Sequence, residues 1–288
     1  MSFRTVVIKN RCKLDLSGNY LVRRAEDEKK IFIKEISCLI VESTAVSLTA
    51  CLLSELVKNN VKVIFCDEKH NPESELIPYR NNYISSKRIS LQINWDKRFL
   101  SKIWREIVKE KILNQARVLE ELHKIEQANM LKEYAKNVED GDSTNREGHS
   151  AKVYFNAVFG KDFERREEHE INSALNYGYS ILLSCFNREI TSRGYLTQLG
   201  IWHKNDFNAF NLSCDLMEPF RTLIDKMVID FTSDQFKNYK MSILEIFNKN
   251  LQIKGKKYAF EDAISIYCTC VLDAIESKNL NKVCFYEG

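Results

Sequence analysis

Glu147 stands in the segment Asp142-Ser143-Thr144-Asn145-Arg146-Glu147-Gly148, and His203, Asp215, Glu218 and Arg221 follow in two later segments. Carboxylates, an imidazole and a guanidinium are the side chains that hold divalent cations, move protons and neutralise phosphate. Each also has a structural reading. Thr144 and Glu147 have the spacing of a capping box, in which the glutamate reaches back to the cap residue's backbone N–H. Gly200-Ile201-Trp202-His203-Lys204-Asn205 precedes Asp215-Leu216-Met217-Glu218-Pro219-Phe220-Arg221, so an imidazole comes before two carboxylates and a guanidinium. Asp215 and Glu218 are three apart and share a face if the turn is helical, and Arg221 continues the row. Pro219 suits a first helical turn. On the structural reading Asp215 and Glu218 are charges at a helix N-terminus and Arg221 is the i,i+3 partner of Glu218. Taken singly, none of these residues requires catalysis.

Four ordered blocks change that balance: Asn145-x-Glu147-Gly148-x-x-Ala151-x-x-Tyr154, Ile171-Asn172-x-x-Leu175-Asn176-Tyr177-Gly178-Tyr179, Gly200-x-x-His203, and Asp215 to Arg221. Together they resemble the CRISPR adaptation integrase family, which inserts new spacers. The form of the last block and the short chain are similar to the type II-like branch, which accompanies a large single-protein DNA effector. The resemblance implies that Glu147, His203 and Glu218 are metal ligands. Many members carry aspartate at the third position, so Glu218 lengthens that arm by one methylene and leaves Asp215 open as a second acidic contact. Arg221 falls where the family carries a basic residue, beside the substrate phosphate. Asn145, Tyr154 and Tyr177 would support the site, although buried helical packing is the other reading of the tyrosines.

Oxygen ligands with one imidazole suit Mg²⁺ or Mn²⁺. The reaction implied is transesterification: the 3′ hydroxyl of incoming prespacer DNA attacks the phosphodiester at the edge of a CRISPR repeat, with no covalent nucleophile on the protein. The partners implied are double-stranded DNA, a homodimer formed through the N-terminal domain, a small ferredoxin-like second adaptation protein bridging two dimers, and other type II CRISPR proteins. Two readings stay open beside it, a metal-dependent endonuclease cutting branched or linear DNA with water as attacker, and a non-catalytic DNA-binding scaffold.

The elements that must position these residues read as α+β, with a small β-rich N-terminal domain over 1–75 and a larger all-α catalytic domain over 76–288. Thr5 to Ile8, Tyr20 to Arg23, Ile31 to Ile33, Cys38 to Val41 and Val61 to Phe65 have strand character, and Ser17-Gly18-Asn19 is a tight turn. Ser43 and Thr44 offer an N-cap to a helix carrying Leu48, Cys51, Leu52 and Leu56 and ending at Asn59-Asn60. Ile31 to Val41 and Val61 to Cys66 are interface candidates, with sheet core as the equal alternative. Asp67 to Pro78 has loop or linker composition. Beyond it, Phe99, Ile103, Ile107, Ile112, Leu113, Leu119 and Leu122 form a helical stripe.

With 44% hydrophobic and 29% charged residues and only 9 Gly and 3 Pro, the composition excludes a disordered chain. A net charge of +3 permits nucleic acid through a local patch without arguing for it. Arg80, Lys87, Arg88, Lys97, Arg98, Lys102, Arg105, Lys109 and Lys111 are interleaved with Tyr83, Trp95, Phe99 and Trp104. Such a stretch serves either phosphate binding with base stacking or a solvated face over aromatic core. Arg80, Lys87, Arg88, Arg146 and Lys204 are the DNA-contact candidates. No apolar run reaches the roughly 18 residues of a membrane span, and no leader pattern opens the chain, so a cytoplasmic setting with nine reduced thiols is expected. Cys268-Thr-Cys270 lacks a second pair at zinc spacing and reads as a buried helix face. His70, His123 and His169 receive no role, and His149 is placed off the ligand face.

Overall fold

The computed structural model describes residues 4–78, 84–165, 167 and 169–287. The chain divides into two compact units, Met1–Arg80 and Asn81–Gly288. A strand-rich unit followed by a mainly helical one is the α+β arrangement the sequence predicts.

The first unit runs β1 (Arg4–Ile8), β2 (Cys12–Ser17), β3 (Tyr20–Arg24), β4 (Lys29–Phe32), β5 (Ile36–Val41), β6 (Val46–Leu48), α1 (Ala50–Lys58), β7 (Lys62–Cys66) and β8 (Pro72–Glu75). One four-stranded sheet has the order β1-β5-β7-β8 and the other β4-β3-β2-β6. β5 lies between two parallel neighbours, and its sequence ISCLIV is apolar at nearly every position and buried throughout. That is the composition of a strand covered on both faces, so β5 and β7 belong to sheet interior. Leu52 and Leu56 of α1 pack into the same core as Leu14, Leu39 and Val63. The cap of α1 is Thr49, whose hydroxyl accepts from the Leu52 N–H at 3.3 Å, rather than Ser43 or Thr44. The expected loop at Asp67 to Pro78 contains β8, which pairs antiparallel with β7 and brings Glu75 into an ion pair with Lys62.

The second unit contains α2 (Ser85–Ile93), α3 (Lys97–Glu121), α4 (Ile125–Lys136), α5 (Arg146–Phe159), α6 (Glu170–Ser192), α7 (Asn211–Met217), α8 (Arg221–Ile229), α9 (Ser233–Lys237), α10 (Tyr239–Leu244), β9 (Asn250–Ile253), β10 (Lys256–Ala259) and α11 (Phe260–Ser277). The β9–β10 hairpin corrects the expectation of an all-α domain. Its turn places Lys254 and Gly255 in the left-handed region, and the glycine is what makes so short a turn affordable. α3 is the spine: 25 residues, about 38 Å at 1.5 Å per residue, with Leu100, Ile103, Trp104, Ile107, Val108 and Ile112 buried along it. Gly178 on α6 lets Ile224 of α8 approach the backbone, where a Cβ would collide with the isoleucine side chain.

Cys270 and Cys284 form a disulfide, their Cα atoms 5.8 Å apart, which corrects the expectation of nine reduced thiols. The segment after α11 folds back along that helix and brings the two sulfurs together. Cys268 is buried, as expected of a helix face. Among the described residues no helix is long and apolar enough to cross a membrane.

Candidate metal centre

Glu147 reaches the site because another residue caps its helix. Asp142, itself at φ +49°, accepts the Arg146 N–H at 2.8 Å and the Glu147 N–H at 3.0 Å on its two carboxylate oxygens. Asn145, at φ +51°, turns the chain into α5, and the Thr144 hydroxyl is buried without a partner. The capping box is therefore not formed, and the Glu147 carboxylate is free for Lys111, whose Nζ lies 2.6 Å from Oε1. The carboxamide of Asn145 rests where a Cβ on residue 148 would stand, which accounts for Gly148.

Glu218 lies in the tight 3-10 turn Glu218–Phe220 between α7 and α8, with Pro219 in its first positions. The Pro219 carbonyl accepts from the Asn114 amide at 2.9 Å and the Tyr286 hydroxyl at 3.1 Å, which fixes the turn against α3 and the C-terminal segment. Glu218 Oε1 accepts from Arg221 Nε at 2.9 Å, the pairing expected from their spacing. Its Oε2 is 2.5 Å from Lys111 Nζ, an ion pair without an aligned hydrogen bond. Lys111 thus bridges both glutamates, and it is only 8% exposed.

His203 is in the loop between α6 and α7. The fully buried carboxylate of Asp215 accepts the Trp202 N–H at 2.8 Å, the His203 N–H at 3.2 Å and a hydrogen bond from His203 Nδ1. This carboxylate holds the Nδ1–H tautomer and leaves Nε2 as the donor atom. Gly200 permits the close loop, since a Cβ there would lie 2.7 Å from Asp215 Oδ2. Trp104 of α3 meets the imidazole edge-on at 5.5 Å and stacks with Trp202 at 6.2 Å.

Burial would raise the Glu218 carboxyl, but Arg221 and Lys111 outweigh it and hold the group at about 2. Burial alone would lower Lys111; Glu218 and Glu147 reverse this and its ammonium is raised. The Asp215 hydrogen bond raises His203 against its own desolvation, and the Glu218 and Glu147 charges add to the rise. Burial raises Asp215 despite His203. Asp225, which accepts from the Tyr179 hydroxyl, is pushed by burial to about 6.

Glu147 and Glu218 share a cavity of about 250 Å³ with Lys111, Arg221, Tyr179 and Arg165. His203 lines a second cavity, of about 620 Å³. Among the described residues no three His, Cys, Asp or Glu side chains are grouped as metal ligands. The donor types nevertheless fit Mg²⁺ or Mn²⁺: two glutamates already bracket one positive charge, and an oriented imidazole lies within their electrostatic reach.

Asp215 turns to His203 rather than to the Glu218 carboxylate. Tyr154 and Tyr177 are packed inside, Tyr177 edge-on to Tyr239, and Tyr179 is the tyrosine that lines the cavity. Arg88 is ion-paired with Glu276 and donates to the Tyr195 hydroxyl at 2.8 Å. Lys87 and Lys204 are exposed, whereas Arg146 lies over the Tyr134 ring at 5.4 Å. Arg80 and Tyr83 lie outside the described residues. His149 is exposed. Lys111 is the site residue that sequence reasoning left in the basic stretch.

The sequence matches the family described as CRISPR associated protein Cas1 over residues 5–257. It is 36% identical over 230 residues to the CRISPR-associated endonuclease Cas1 of Neisseria meningitidis serogroup C, covering 80% of this chain and 76% of that protein. It is 27% identical over 243 residues to a CRISPR-associated endonuclease Cas1 of Francisella tularensis subsp. novicida, covering 77% and 76%. Among solved structures, a casposase bound to integration product has a TM-score of 0.79 at 20% identity, covering 97% of this chain and 92% of that one. A Cas1 protein from Thermotoga maritima has a TM-score of 0.75 at 16% identity, covering 99% of each. The four sequence blocks, the two-unit fold and these matches agree, and the chain belongs to the Cas1 family of CRISPR-associated proteins.

Proposed function

We propose that this Cas1-family chain is a metal-dependent DNA integrase, which joins the 3′ hydroxyl ends of prespacer DNA to a CRISPR repeat by transesterification. The observation that carries this reading is the convergence of Glu147 and Glu218 on one positive charge beside Arg221, with His203 oriented by Asp215. Glu147, Glu218 and Nε2 of His203 would hold Mg²⁺ or Mn²⁺. When bound, the ion polarises the phosphodiester and stabilises charge on the attacking and leaving oxygens. Lys111 neutralises both carboxylates in the metal-free protein and so competes with the ion for them. Asp215 keeps the His203 Nδ1 protonated and Nε2 open. Arg221 gives only Nε to Glu218 and lies over the Tyr179 ring at 4.7 Å, so its terminal N–H groups are placed to take phosphate oxygens.

The partners we propose are double-stranded DNA, a second copy of the chain joined through the strand-rich unit, and a small Cas2 protein bridging two such dimers, all in the cytoplasm. The Cas1 fold also occurs in a Cas6-RT-Cas1–Cas2 complex, which aligns with a TM-score of 0.74 at 17% identity and of which this chain spans 36%. The endonuclease names of the curated relatives keep DNA cleavage as the second reading.

One assay separates these readings. The protein and its Cas2 are mixed with short duplex DNA bearing 3′ hydroxyls, Mn²⁺ and a supercoiled plasmid carrying the repeat. Covalent joining that disappears in Glu147→Ala is the expected result. Cleavage without joining establishes the nuclease instead, and DNA binding with neither product establishes a scaffold.

A further inference from the structure

Phe207 is 100% exposed, in a chain whose other aromatic rings are mostly packed. It is presented by a loop that is held from several sides. Asn205 Oδ1 accepts the Phe207 N–H at 3.0 Å, and Asn208 Oδ1 accepts the Phe210 N–H at 2.9 Å. The Asn211 amide donates to the Asn205 carbonyl at 3.0 Å and the Gln198 carbonyl at 3.1 Å, while the Thr197 hydroxyl donates to the Ala209 carbonyl at 2.8 Å. Such a loop cannot readily collapse to bury the ring, so the phenyl is kept in water at a standing cost in apolar exposure. Phe207 lies four residues after His203, and both line the cavity of about 620 Å³. Lys97 and Lys204, both exposed, stand at the same rim and outnumber Asp206 there.

We propose that Phe207 is a DNA wedge, which inserts between two base pairs of the target duplex next to the phosphodiester presented to His203, with Lys97 and Lys204 on the flanking phosphates. The exposure of the ring decides between a wedge and a stacking platform. A platform is backed by protein on one face, whereas insertion needs both faces free, and among the described residues none covers the Phe207 ring. Opening a base step bends the duplex and turns the backbone outward, which presents a phosphate that a straight duplex keeps flush with its neighbours. The inference rests on the DNA-joining reading, but it concerns the shape of bound target and is measured separately from chemistry.

The probe is a synthetic duplex carrying the repeat edge, with 2-aminopurine placed in turn at each of the base pairs flanking the joining position. It is bound by the protein and Cas2 in EDTA, so that no joining takes place. Unstacking raises the fluorescence at one step; we expect this rise with the wild type and Phe207→Trp, and its loss with Phe207→Ala at equal bound fraction. In the Mn²⁺ joining assay Phe207→Ala is expected to be about tenfold slower on intact duplex, and a mismatch at the same step should restore it, because a mismatched pair is already partly unstacked. No position with a Phe207-dependent signal overturns the wedge. So does a Phe207-dependent rise seen only when the label is moved to the 3′ end of a separately supplied incoming duplex, or a Phe207→Ala defect that appears only as lost Cas2 binding. If the signal is seen but wild-type protein does not join DNA, the integrase reading fails and the wedge stands.

Discussion

Lys111 occupies the point where the candidate site is most constrained, since a buried ammonium holds two glutamates that would otherwise repel each other. Removing one partner of a buried ion pair leaves uncompensated charge, typically at a cost of about 3–5 kcal/mol. Lys111→Met is therefore expected to melt well below the wild type without metal and to recover most of the difference in saturating Mn²⁺, which binds the folded state. Calorimetry with and without Mn²⁺ tests this, and an equal metal shift in both proteins would refute the competition between Lys111 and the ion. The position was legible: Lys111 follows Ile107 by four and Val108 by three, so it falls on the apolar stripe rather than the solvated face. Asp225 gives a second measurement. Its folded value of about 6 lies above the ordinary carboxyl value near 3.8, so folding favours the protonated form. That contribution is complete below about pH 4 and is lost as pH rises through 6. Asp225→Asn is expected to remove this slope and to add on the order of 2 kcal/mol at pH 7, read from urea titrations at pH 4 to 7.

Periodicity reveals an element when the element is long enough to repeat. The α3 stripe was readable from Phe99 to Leu122 because 25 residues sample every face of the helix. β6, β8 and the β9–β10 hairpin have three or four residues each, and strands that short are defined by what they pair with rather than by their own sequence. The start of α5 is legible in the sequence, but its cap is not, for a related reason. Thr144 and Glu147 have capping-box spacing, but Asp142 takes the Arg146 and Glu147 N–H groups through left-handed backbone that the sequence does not announce. Asp142→Ala is expected to cost about 1 kcal/mol, the usual value of an N-terminal cap. It should also weaken Mn²⁺ binding, because Glu147 sits in the freed first turn. Isothermal titration with Mn²⁺ alongside urea melts checks both effects, and a stability loss with unchanged metal affinity would show that the cap does not position Glu147. The four motif blocks point to Glu147, His203 and Glu218 as a set, yet the spacing of Asp215 and Glu218 suggests one shared face. The turn at Pro219 separates their tasks, with Asp215 on His203 and Glu218 on Lys111 and Arg221.

At the scale of the whole molecule, each chain carries a single set of Glu147, His203 and Glu218, whereas the spacer insertion we propose requires two strand-joining events at opposite edges of one repeat. A symmetric assembly with one working site at each edge satisfies that requirement. Mixing wild type with Glu147→Ala before assembly makes the stoichiometry measurable. If protomers mix at random in equal amounts, one-ended joining at a given edge should fall to about one half and two-ended joining to about one quarter, because both edges then need a wild-type site. Gel quantification of half-joined and fully joined plasmid gives the two fractions. Two-ended product that falls only to one half would mean that a single site serves both edges in turn, and the paired arrangement would have to be given up. The mixed sample must be unfolded and refolded, or co-expressed, so that preformed dimers do not mask the exchange. Size-exclusion with light scattering on the same samples verifies that Glu147→Ala assembles like the wild type, as expected for a side chain that contacts Lys111 within its own unit.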